Sequence, residues 1–197
     1  MKCFSLIITT LLMASVTFSR TNEYIVLSKD NDYLGSLEVV SELKEKTEEV
    51  KVESQIKVKK LITIVFSYSL YSKFVHEKLV SNKITTFLNH KQQDEMSTEK
   101  AGNTYTFTKN KVRKEVRSFS FCESMMYYNE PKGIPEIYSE FDGVFKSVKF
   151  IEKETCYELT NPTNKNVSKY FYAEGILQKA IVKHPLVTLY LYRKVGE

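Results

Sequence analysis

The sequence lacks nearly every motif that carries chemistry. It has no phosphate-cradling G-x-x-x-x-G-K-[ST], no dinucleotide-binding G-x-G-x-x-G and no nucleophile elbow G-x-S-x-G. It has no C-x-x-C, and its three histidines, His76, His90 and His184, fall in separate segments. His90 and Asp94 would share a metal only on a helix, and no third ligand follows at motif spacing, so a histidine in a solvated loop is the simpler reading. No cofactor and no metal is expected, and an enzyme is the minority reading.

Other absences bound the class of protein. Lys and Arg number 29 against 24 Asp and Glu, for a net charge of +5, but no stretch is a basic block. In "SELKEKTEEVKVESQIKVKK" the two signs interleave, whereas a nucleic-acid binder concentrates positive charge on one face. No nucleic-acid partner is expected, and the charge serves solubility. Internal repeats, proline-rich linkers and low-complexity tracts are also missing, which leaves a single domain. The longest internal apolar stretch, "LITIVFSYSLYSKFV", is broken by Ser67, Ser69 and Ser72. It is too short for a membrane span of roughly 20 apolar residues.

The N-terminus is the exception. Lys2 precedes the apolar run Phe4 to Val16, and the small residues Thr17 and Ser19 fit cleavage before Arg20. The spacing predicts a signal peptide over residues 1–19 and a mature domain over 20–197 that is exported, periplasmic or secreted. A retained anchor is the alternative, disfavoured by the short run. Cys3 precedes the run and is not at the cleavage point, so lipidation there is not expected. Cys122 and Cys156 remain. In an oxidising compartment they are a candidate disulfide pair. Its loop of about 33 residues would stabilise the fold by roughly 3–4 kcal/mol. Two buried free thiols are the other reading, because spacing alone does not give the distance between Cα atoms.

Strand signals fill what is left. "VKVESQIKV" alternates Val50, Val52, Ile56 and Val58 against charged neighbours, a strand with one wet face. Leu61 to Phe74 is apolar in both registers, the pattern of a strand covered on both faces. "NKITTFLNH", "NTYTFTK", "GVFKSVKFI", "TCYELTN", "SKYFYAEG", "ILQKAIVK" and "LVTLYLYRK" add further strands. Gly102, Gly143, Gly175 and Asn161-Pro162 mark turns between them. "SLEVVSELKEKTEEV" has some helical periodicity, yet Gly35 and the alternation after Val50 favour strand, exposed turn, strand. The fold class expected is mainly all-β: a curved antiparallel meander sheet or half-barrel with one or two short helices.

"CESMMYYNEPKGIPEIYSEFDG", residues 122–143, is the densest segment. Pro131 and Pro135 make it turn. The plain reading is a plug spanning 119–135 whose Met and aromatic side chains fill the concave side of the sheet. The sharper one is a pocket with working carboxylates Glu136, Glu140 and Asp142, although a glycosidase needs two carboxyls about 5–9.5 Å apart and nothing else here supports one. Tyr170, Tyr172, Tyr190 and Tyr192 alternate, as would suit an aromatic-lined cavity for an apolar ligand or ordinary cross-strand pairing. Candidate ligand-binding residues are Tyr68, Met125, Tyr128, Tyr138, Phe141, Tyr170, Tyr172 and Tyr190.

Several stretches in order carry a resemblance. "NDYLGSLEVV" and "SQIKVKKL" come first, then Asn82 after Leu79 to Ser81. A "YY-x-E-P" turn follows at Tyr127 to Pro131, then "SE-x-x-G-x-F" at Ser139 to Phe145 and "Y-x-Y-x-x-G" at Tyr170 to Gly175. Across nearly the whole mature chain this resembles a family of exported bacterial proteins carrying a domain of unknown function. The resemblance implies a mainly antiparallel β protein, of a curved-sheet character like that of carriers of lipid or acyl chains, and carries over no catalytic residue. The lysine-rich hairpins and the Cys122/Cys156 pair depart from it. The function expected is a non-enzymatic protein that binds an apolar small molecule or an envelope component. The alternatives are an interaction protein pairing through a sheet edge with an envelope protein, and a hydrolase using the acidic residues of 136–142.

Overall fold

The computed structural model describes residues 17–59, 63–183 and 187–194. Of the segment expected to be removed on export, residues 1–16 lie outside the described residues, and Thr17, Phe18 and Ser19 open the first strand. Leu61, Ile62 and His184 also lie outside them.

Among the described residues, fourteen strands form one sheet. The first eight are β1 (Thr17–Leu27), β2 (Tyr33–Lys44), β3 (Thr47–Lys59), β4 (Thr63–Val75), β5 (Lys78–Leu88), β6 (Lys91–Ala101), β7 (Thr104–Lys109) and β8 (Val112–Val116). After residues 117–135 come β9 (Glu136–Ser139), β10 (Val144–Ile151), β11 (Cys156–Thr160), β12 (Val167–Ala173), β13 (Ile176–Lys183) and β14 (Thr188–Arg193). The spatial order is β8-β7-β6-β5-β4-β3-β2-β1-β14-β13-β12-β11-β10-β9. Each neighbouring pair is antiparallel, and β1 pairs with β14 through Tyr24 to Leu27. The all-β meander expected from the sequence is what forms; its helical content among the described residues is two short 3-10 turns, Glu123–Tyr127 and Glu152–Glu154.

Alternation makes the sheet one-sided. On β3, Val50, Val52, Ser54, Ile56 and Val58 are buried while Lys51, Glu53, Gln55, Lys57 and Lys59 are exposed. Register aligns these inward positions across strands, so Leu37 meets Ser54 and Ser54 meets Tyr68. Segment 36–50 is strand, turn, strand, as its glycine and its later alternation indicate. The hairpins turn tightly: His76–Glu77, Asn89–His90 and Asn110–Lys111 hold positive φ at both central residues. This twist suits two-residue loops between antiparallel strands. His76 and His90 thus serve turns.

Two expectations are corrected. β4 is covered on one face only: Leu70, Ser72 and Phe74 are buried, whereas outward Val65, Tyr71 and Val75 are half-buried among neighbouring side chains. Cys122 and Cys156 are both buried and free. Cys122 bridges Tyr138 on β9, which pairs with Phe145 on β10. Cys156 lies on the far side of β10, opposite Ile151. From Phe145 to Ile151 is about 20 Å at roughly 3.3 Å per residue, and a disulfide spans less than about 7 Å between Cα atoms.

The sheet curls until its two edges approach. β8 and β9 do not pair with each other among the described residues; the chain between them crosses the concave face. Phe119 stacks between Tyr105 of β7 at 4.4 Å and Tyr138 of β9 at 4.3 Å. The Tyr138 hydroxyl lies 2.9 Å from the Thr98 hydroxyl of β6. Arg117 pairs with Glu136 and lies 3.8 Å over the Phe145 ring. Gly143, at φ +64°, lets the turn after β9 press on β7, where a Cβ would meet the Phe107 ring at 2.6 Å.

Candidate functional site

Inside the curl, the inward side chains of β1–β4 and β12–β14 leave space unfilled. A cavity of about 290 Å³ remains, walled by Val26, Leu37, Ile56, Leu70, Leu177, Ala180, Val182, Leu189 and Leu191. Most of these residues are inward because they hold alternate strand positions; between Leu177 and Ala180 a register shift in the β12–β13 pairing resets the alternation. The 3-10 turn and residues 140–142 form the opposite wall, with Glu123, Ser124, Met126, Tyr127, Glu140, Phe141 and Asp142. Asn164 and Lys183 line the cavity and are exposed, which sets its mouth near the β11–β12 loop.

The plug wall is polar and internally paired. Lys146 Nζ lies 2.8 Å from Glu123 Oε1 and 3.0 Å from Asp142 Oδ2. Ser139 Oγ donates to Glu123 Oε2 at 2.5 Å, and Asn161 donates to Asp142 at 3.0 Å. Burial works against the Lys146 charge, but Glu123, Tyr170 and Asp142 outweigh it and hold its pKa above the usual lysine value. Glu140 is 1 % exposed. Ser124 Oγ donates to its Oε1 at 2.6 Å, and the Ser124 N–H approaches both oxygens at 3.3–3.4 Å. Burial raises the Glu140 pKa; the Ser124 hydrogen bond opposes this and the Glu123 charge adds to it.

The tyrosines on this wall feel the same field. Tyr68 and Tyr127 are half-buried and line the cavity. Burial raises both hydroxyl pKa values well above normal, and Glu123 and Glu140 add to the shift. Cys122 is completely buried, and burial, with Glu140 nearby, pushes its thiol well up. It is a packed side chain and not a thiolate nucleophile.

The structure brings together some of the sequence-predicted residues and separates others. Tyr68, Phe141 and Tyr170 line the cavity, with the Tyr68 and Phe141 rings 6.2 Å apart. Tyr172 donates to the Met126 carbonyl at 2.9 Å and anchors the plug to β12. Tyr128 anchors it to β2 and β1, donating to the Val39 carbonyl at 2.7 Å and approaching the Arg20 carbonyl at 3.1 Å. Met125 packs between the two apolar clusters, and Tyr138 is buried at the seam between the sheet edges. Tyr190 alternates with inward Leu189 and Leu191 and therefore faces outward, away from the cavity. Its neighbour Tyr192 lies under Lys179 at 5.2 Å on that outer face. Of the acidic residues, Glu140 and Asp142 reach the cavity wall, while Glu136 is held by Arg117. Glu123, Lys146 and Asn161 are wall residues that the sequence did not single out.

A family model described as a domain of unknown function, DUF6134, matches residues 24–194. A comparison with the curated proteins finds no match. A solved structure from Brucella abortus, titled as a beta-barrel-like protein of domain of unknown function DUF1849, aligns with a TM-score of 0.56 at 8% identity. The alignment covers 92% of this chain and 98% of that one. At that identity the likeness concerns the fold alone.

Proposed function

This chain belongs to the family defined by the domain of unknown function DUF6134, and within it we propose that the protein is a non-enzymatic carrier that holds an apolar or amphipathic small molecule inside the curled sheet. One observation carries this reading. Inward Val26, Leu37, Ile56, Leu70 and Leu191 line open space of about 290 Å³ where a protein core would otherwise close-pack. That volume is near the lower bound of small-molecule pockets, roughly 300–1,000 Å³. An apolar body in it would gain about 25 cal/mol for each Å² removed from water. The N-terminal segment, read as a signal peptide, makes the compartment periplasmic or extracellular, where the ligand would be an envelope component.

The edge-pairing alternative has less support, because β8 carries Arg113 and Lys114 next to Arg117, and charge on an edge strand discourages pairing.

Native mass spectrometry of protein extracted without detergent tests the proposal. A bound small molecule that disappears in Ala180→Leu, which fills the cavity from β13, is the expected result. The variant should cost no more than about 1–3 kcal/mol relative to the parent. Identical occupancy in parent and filled variant would place the ligand elsewhere and end this reading.

A further inference from the structure

The polar wall narrows the class of ligand. Three carboxyl groups, Glu123, Glu140 and Asp142, meet one ammonium group there, Lys146, and Lys183 lies at the exposed mouth. Lys146 is already divided between Glu123 and Asp142, so it has little to offer an incoming anion. Both of those carboxylates keep partial exposure, with side chains 22% and 31% accessible. Beside them stand the rings of Tyr68, Phe141, Tyr127 and Tyr170. Ring faces attract cations, and more strongly when the site is desolvated. A carboxylate or phosphate head entering this wall would meet uncompensated like charge in a poorly screened space.

We infer that the cavity selects an amphiphile with a cationic organic-ammonium head: the apolar body lies against Ile56, Leu70 and Leu191, and the head sits between the Glu123–Asp142 pair and the tyrosine rings. The inference rests on the cavity-binding reading above. At roughly 30 Å³ per water-sized group, the space holds about ten non-hydrogen atoms, which an octyl chain with part of its head would fill. The excess carboxyl adds a reserve of charge. Glu140 faces Glu123, Ser124 and Cys122 from the plug, Tyr138 from β9 and Tyr68 from β4. Burial favours its neutral form, and an ammonium head placed nearby favours ionisation.

Titration calorimetry with three octyl probes, each below its critical micelle concentration, tests the head. The probes are octyltrimethylammonium, octyl glucoside and octanoate. The ammonium probe should bind tightest and octanoate weakest, with a gap of about tenfold or more between ammonium and glucoside, the effect of roughly 1.4 kcal/mol of head-group attraction. Glu123→Gln should erase that gap between the ammonium and glucoside probes. Equal binding of all three probes, or tightest binding of octanoate, would overturn the cationic-head inference and leave the cavity reading standing. Failure of all three to bind would overturn both.

Discussion

The two sides of the curled sheet are built from the same strand pattern and filled in opposite ways. On the side of β6, β7 and β9, ring stacks on ring: Tyr105, Phe119 and Tyr138 form a column with centroids 4.3–4.4 Å apart. Across β1–β4 and β12–β14, equally inward side chains stop short of one another and leave a cavity. What differs is the plug. Residues 119–122 reach into the first side with an aromatic ring and a buried thiol. Residues 123–127 present the second side with a carboxylate, a hydroxyl and the Tyr127 side chain. One short segment thus closes the seam between the open edges and forms the polar wall of the cavity. Alternation decides which side chains face inward, and the crossing segment decides whether the interior is solid or hollow.

Breaking the solid side should cost most. Tyr138→Ala removes a ring with no exposed surface, along with its two ring contacts and the Thr98 hydrogen bond. The expected loss is about 3–5 kcal/mol, measured by urea denaturation. Tyr138→Phe should cost only about 1–2 kcal/mol, the penalty for an unpaired Thr98 hydroxyl. Near-equal losses in the two variants would mean that the stack contributes little.

On the hollow side the polar wall is the vulnerable part. Lys146→Ala strands Glu123 and Asp142 as partly buried carboxylates without a counter-charge. A loss of about 2–4 kcal/mol is expected, discounted from the fully buried case because both acids keep some exposure. Restoring Lys146 as arginine should recover part of it. Chemical denaturation of both variants checks the pair.

The smallest effect concerns pH. The Glu140 pKa is raised in the folded protein, so the folded state binds this proton more tightly than the unfolded chain does. The stability that comes with the proton is complete below the unfolded carboxyl value near about 4.3. It is lost as pH rises through the raised folded value, with a slope of at most about 1.4 kcal/mol per pH unit. Glu140→Gln removes this slope. The variant should match the parent near pH 4 and equal or exceed its melting temperature at pH 8. A variant that loses stability progressively above neutral pH would contradict the assignment.

Much of this architecture is legible in the residues, for identifiable reasons. β3 announces itself because Val50, Val52, Ile56 and Val58 alternate with charge. β6 does not: "KQQDEMSTEKA" turns only Met96 and Thr98 inward as fully buried residues, so its partners on β5 and β7 define it and its own pattern does not. β8 has a single buried residue, Val116, and is equally silent. β4 reads as dry on both faces because Leu61, Val65 and Tyr71 are apolar, yet on the outer surface Val65 and Tyr71 are covered only in part. Among the candidate site residues, Tyr68, Phe141 and Tyr170 meet at the cavity. Tyr190 does not, because its alternation with Leu189 and Leu191 sends it outward. The paired wall of Glu123, Asp142 and Lys146 left no local signal. Glu123 and Lys146 are 23 positions apart, and only the fold makes them neighbours. The same holds for Cys122 and Cys156, which lie near in sequence terms but on opposite sides of β10.

A methyl-resolved NMR titration with octyl glucoside tests the division between solid and hollow sides most directly. The expected result is shifts confined to the methyls of Val26, Ile56, Leu70, Val182 and Leu191 around the cavity, with Ile84, Met96 and Val116 on the solid side unmoved. Shifts concentrated on the solid side, or none at any methyl up to the solubility of the probe, would contradict it.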